Sequence, residues 1–144
     1  MRAMGLAVAA MMLAALPAQA GMERFTWANR PLVVLAPDAD HPALGEQRAI
    51  AEAHAAGFRE RDMVVVTLAG DGPVRVDGEP ARDVDPAALR ARFGVAHDAF
   101  RALLVGKDGT VKLSRGESIA ADTLFRTIDA MPMRQREMRE QGDG

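Results

Sequence analysis

Residues Leu32–Ala36, LVVLA, form an unbroken apolar run rich in β-branched side chains, and Met63–Leu68, MVVVTL, form a second. Runs of this length and type read as strands covered on both faces. Between them, from Pro42 onward, the apolar spacing becomes helical. Leu44, Gln47, Ile50, Ala51, His54 and Phe58 lie three or four apart, on one stripe of a single predicted helix. Pro42 suits the first turn, where its missing N–H would have no partner, and Gly57 weakens the end. Strand, helix and strand in succession make a βαβ unit with parallel strands and a right-handed crossover.

The stretch 70–85, GDGPVRVDGEPARDVD, breaks this regularity. VRV between turn signals is a candidate short strand, within what the composition predicts to be a mobile insertion. Asp85-Pro86 then reads as an N-cap and first-turn proline, and the helix ends at Gly94. FRALLVG is the third strand, Lys107-Asp108-Gly109 a hairpin turn, and TVKLS the antiparallel return. Ser118 is expected to cap a last helix with Ile119, Leu124, Phe125 and Ile128 as its stripe. The remainder, MPMRQREMREQGDG, is so charged that it is expected to fray. No internal repeat or second domain is visible. The pattern predicts an α/β protein, a three-layer sandwich with a mixed sheet and helices on both faces.

Composition adds an address. Of 144 residues, 49% are apolar and 26% charged, which suits one soluble domain. The first twenty residues differ from the rest: Arg2, an apolar run from Ala3 to Leu16, and the small-x-small end Ala18-Gln19-Ala20. This is the layout of a secretory signal peptide. The run falls short of the roughly 20 apolar residues a membrane span needs, although an uncleaved anchor is the alternative reading. The expected organisation is a signal peptide at 1–20, a domain at 21–131 and a charged segment at 132–144. A periplasmic or secreted location follows, without a stable membrane anchor after cleavage.

Charge and cysteine usage exclude several functions. Beyond Arg2 the chain carries one fewer than the total of 18 Lys+Arg, against 20 Asp+Glu. That mild acidity argues against a nucleic-acid partner. The chain contains no cysteine. Thiol catalysis, disulfide exchange, thiolate metal sites and a lipid anchor on cysteine are therefore ruled out.

The order of elements is the thioredoxin-like one. Three stretches carry a closer resemblance: Trp27–Val34, WANRPLVV; Arg101–Gly109, RALLVGKDG; and Ile128–Met138, IDAMPMRQREM. They resemble a bacterial family known as a domain of unknown function, number 4174, regarded as thioredoxin-like and peroxiredoxin-like. Related domains occur in animal secreted proteins with sushi repeats. The resemblance implies fold and export, and brings no reaction with it. Laid on the peroxiredoxin motif Pro-x-x-x-Thr-x-x-Cys from Pro37, His41 stands at the threonine position and Leu44 at the cysteine position. Arg101 matches the arginine that assists the thiolate in that family, and here could bind an anion or pair with a surface carboxylate.

Asp38, Asp40 and His41 are the densest polar cluster at the end of a predicted parallel strand, where open α/β sheets bind ligands. Two carboxylates and an imidazole could hold a divalent ion, but their spacing matches no strong metal motif. Capping of the following helix is the plainer reading, with Asp40 expected to contribute about 1 kcal/mol. His54 is expected to pack on the helix stripe, and His97 lies in a loop with no serine placed for a hydrolytic triad. Met131, Met133 and Met138 suit either a partner surface or packing of a terminal helix. The candidate ligand-binding residues are thus Asp38, Asp40, His41 and Arg101, with no catalytic residue, metal or cofactor assigned. The expected function is a non-redox binding or interaction module with an unidentified protein partner. A metal-assisted or acid/base enzyme on the 38–41 loop, and an envelope-stress or structural protein, are the alternatives.

Overall fold

The computed structural model describes residues 20–142. The expected signal peptide lies outside the described residues except for Ala20, which is buried. A 3-10 helix, Met22–Phe25, leads into strand β1, Arg30–Ala36. Helices α1, Pro42–Ala53, and α2, Ala55–Glu60, connect it to β2, Met63–Ala69. Strands β3, Arg75–Val76, and β4, Glu79–Pro80, precede α3, Pro86–Phe93. The hairpin β5, Arg101–Val105, and β6, Val111–Arg115, is followed by α4, Ala121–Asp129, and α5, Pro132–Gly142.

Among the described residues the six strands form one mixed sheet in the order β4-β3-β2-β1-β5-β6. β1 runs parallel to β2, as the βαβ unit predicts, and antiparallel to β5, while β5 and β6 pair antiparallel, as the hairpin predicts. β1 is buried at all seven positions because it is central and covered on both faces. Its alternate residues feed two cores. Leu32, Val34 and Ala36 meet Leu44, Phe58, Leu124 and Ile128, so α1, α2 and α4 cover that face. Val33 and Leu35 pack with Phe25, Val84 and Leu89, under the 3-10 helix and α3. Each fully buried leucine here contributes about 1.5–3 kcal/mol.

Four expectations need correction. The first helix is two: the chain breaks at His54 (φ −115°, ψ 26°), whose side chain is exposed and meets Phe125 edge-on. Close approach drives this packing, since a Cβ on Gly57 would lie 2.6 Å from the Phe125 ring. Gly57 therefore makes room for a neighbour, besides weakening the helix. The insertion is not a loose loop. β3 and β4 extend the sheet, and Val74, Ala81 and Val84 are buried beneath it. Ser118 does not cap α4, which begins two residues later than expected, with Ala120 at the N-cap and no side-chain cap. Finally, the charged C-terminal segment does not fray but forms α5, with Arg134 buried.

The other boundaries follow their local chemistry. Asp85 accepts the Ala88 N–H and Gly94 closes α3 in the left-handed region. Asp108 accepts from Thr110 in the hairpin turn, where Gly109 takes φ 81°. Trp27 is exposed, takes φ 66°, and donates its backbone N–H to the Lys107 carbonyl at 2.6 Å.

Candidate functional site

The 38–41 loop follows the end of β1, as its position predicts, but the roles within it differ from expectation. His41 is the N-cap residue of α1: its Nδ1 accepts the Ala43 N–H at 3.3 Å. Its ring stacks on Phe100, centroids 5.1 Å apart and planes 8° from parallel. Asp38 accepts the Asp40 N–H at 2.9 Å, an Asx-type turn. The Asp40 carboxylate has no hydrogen bond or ion pair among the described residues. Capping is thus the work of His41, Asp38 bonds the turn before the helix, and the expected stabilisation by Asp40 has no contact behind it among the described residues.

Arg101 opens β5 opposite Leu35, so it does lie at this end of the sheet, where among the described residues its side chain reaches only Ser114 Oγ at 3.5 Å. Among the described residues no group of three or more His, Cys, Asp or Glu converges as a metal-ligand set. Leu44, at the position matched to the peroxiredoxin cysteine, is wholly buried. Beneath the loop, buried Arg90 donates to the carbonyls of Ala36 and Gly70, clamping α3 to the ends of β1 and β2. His97 pairs with Asp71 at 2.9 Å on the exposed surface, away from any nucleophile of a triad.

The opposite end of the sheet holds an ionic network invisible in the sequence pattern. Arg30, only 1% exposed, donates to Glu137 and to the Arg61 carbonyl. Lys107 reaches both Glu137 and Asp62. Arg61 forks onto Asp129 through Nε and Nη2, and Arg134 bonds Asp129, Glu60 Oε1 and the Glu60 carbonyl. The three stretches that carry the family resemblance meet here. Pairing of Arg30 with Glu137 and of Arg61 with Asp129 could not be read from spacing, because these partners are far apart in the chain.

These pairs shift the acids. Hydrogen bonding from Arg61 holds the Asp129 carboxyl below its usual range, against burial and with help from Arg134. Burial alone would raise the Glu137 carboxyl, but bonds from Lys107 and Arg30 leave it lowered. In the hairpin turn, Lys112 and the Thr110 N–H bring Asp108 down to about 2. A carboxylate whose folded pKa is depressed contributes stability above its unfolded pKa and loses it as pH falls through the folded value. Stability is therefore expected to decline from about pH 4 toward pH 2, from the carboxylate reference values downward. Urea midpoints at pH 6, 4 and 3 measure this, and Asp129→Asn should flatten the decline. A midpoint constant from pH 6 to pH 3 would refute the coupling.

A broad concavity lies elsewhere, along the β2–β3 side of the sheet. It is a groove of about 650 Å³ between the α1–α2 wall and the turn after β3. Met63, Val65 and Thr67 share one face of β2 and line it together with Phe58. Arg48 and Arg59 stand on the helical wall and Arg75 on the strand side. The groove exists because β3 and β4 carry the sheet past the edge of its helical cover. Sequence reading missed it, since two-residue strands have no period to detect; the pair of arginines facing outward on α1 and α2 was the available signal. A smaller cavity of about 110 Å³ adjoins Arg30, Lys107, Met131 and Met133.

The architecture defines an α/β protein with a mixed six-stranded sheet among its described residues, free of cysteine along the whole chain. Residues 21–137 match the family described as Domain of unknown function (DUF4174), and the chain belongs to that family. No solved structure matches it.

Proposed function

We propose that residues 21–131, with α5 docked against them, are a thioredoxin-like domain that is exported and serves as a redox-inert binding module. Export rests on the leader at residues 1–20, which implies a periplasmic or secreted location. The fold reading is supported by the order β2-β1-β5-β6, in which a parallel βαβ pair adjoins an antiparallel hairpin. A redox role lacks its nucleophile: attack on peroxide or a disulfide needs a thiolate, and the matched position is the buried Leu44.

The observation that carries the binding role is the groove along β2 and β3. Its volume lies within the range of small-molecule sites, roughly 300–1,000 Å³. An enzyme built on Asp38, Asp40 and His41 has less support, because Asp38 and the His41 Nδ1 are occupied by backbone N–H groups. Exported protein should begin at Gly21 by intact mass and should consume no peroxide with a thiol donor above a heat-treated control. Full-length protein held in the membrane would overturn the export reading. Reproducible thiol-dependent turnover would overturn the redox-inert one.

A further inference from the structure

We infer that the groove takes a small amphipathic carboxylate, an apolar body bearing one anionic head; this rests on the groove being the binding site. The floor supplies the apolar half. Phe58 and Met63 are buried in the core cluster, with Val65 packed against them, so their groove-facing surfaces are backed by rigid neighbours. A ligand chain lying on them would remove apolar surface from water at roughly 25 cal/mol per Å².

The rim supplies the charged half. Arg48 and Arg59 are exposed and make no ion pair among the described residues, and Arg75 donates only to the Gly78 carbonyl. Two acids share the lining, Glu52 and Asp77. Asp77 is occupied: its Oδ1 accepts the Val65 N–H at 2.8 Å, pinning the turn to the strand edge. Three guanidinium groups therefore face two carboxylates, Glu52 and the backbone-bonded Asp77, and the lining keeps a net positive charge. A guanidinium fork matches a carboxylate in two parallel hydrogen bonds. Charge complementarity thus selects an anion, and the apolar floor selects against a fully hydrophilic one.

Decanoate, kept below its micelle concentration, is the probe. Backbone amide shifts of the ¹⁵N-labelled protein would be followed with decanoate, decanol, decyltrimethylammonium and acetate. Decanoate should shift Val65, Thr67, Asp77 and their neighbours and bind about tenfold more tightly than decanol, the equivalent of one exposed charge-assisted contact. Arg48→Gln combined with Arg59→Gln should erase that advantage and leave decanol binding unchanged. Both residues are exposed and unpaired, so the variant should keep the wild-type circular dichroism and melting curve. Equal binding of decanoate and decanol in the groove would overturn carboxylate selection while leaving the groove as a binding site. Absence of groove shifts with every compound would overturn both readings.

Discussion

Arg134→Ala should lower the unfolding free energy by about 3 kcal/mol, the low end for breaking a buried ion pair from one side. Arg134 is 1% exposed and divides its donors between Asp129, Glu60 Oε1 and the Glu60 carbonyl. Removing it takes the donor from Glu60 Oε1 and from the Glu60 carbonyl, leaves Asp129 with Arg61 as its one remaining arginine, and opens an empty space beneath α5. The low end applies because Asp129 and Glu60 retain partial contact with water, which can rehydrate them. The melting temperature should fall by about 10 °C for a domain of this size. Arg134→Lys should recover only part of the loss, since one ammonium cannot reproduce a planar fork. Circular dichroism melts and urea titrations measure both. A loss under about 1 kcal/mol, the usual value of an exposed pair, would mean that the network behaves as a surface feature.

The second large effect is expected at Gln47→Leu. Gln47 is wholly buried in α1, and its amide pairs with both backbone groups of Ile119: Nε2 donates to the carbonyl at 3.0 Å, and Oε1 accepts the N–H at 2.6 Å. Leucine has similar volume but no polar atoms. It would leave a buried N–H and a buried C=O without partners, each costing about 1–3 kcal/mol. A total of about 3 kcal/mol is expected from the urea midpoint at unchanged slope. The entry to α4 should also loosen, seen as faster amide exchange at Ile119. Wild-type exchange at Ile119 in the variant would show that water reaches this pair and that the amide is dispensable.

Both residues mark the limit of what pattern reading can find. The central strands were legible because LVVLA and the ALLVG that follows Arg101 are apolar without interruption, as central positions require. The Asp85 and Gly94 caps were legible because capping is local. Gln47 fell on the predicted stripe, but nothing local says that its amide meets Ile119, 72 residues away. Arg134 sits in a segment so charged that its buried face carries a cation in place of an apolar side chain, and hydropathy reads that as solvent. At the candidate loop, position was legible and role was not: a histidine nitrogen took the capping bond that an aspartate was expected to make. The groove is a property of how far the sheet outreaches its helices, a distance no single segment encodes.

The clasp around α5 also has a kinetic meaning. Arg30 and Glu137 are separated by 107 residues, and Arg134 and Glu60 by 74. Contacts that close such long loops wait until most of the chain has collapsed, because the entropy of closure precedes their reward. Interactions missing from the transition state retard unfolding and leave the folding rate almost unchanged. The last helix is therefore a latch on lifetime: it governs how long a folded molecule persists, whereas the rate of its formation is set by the sheet.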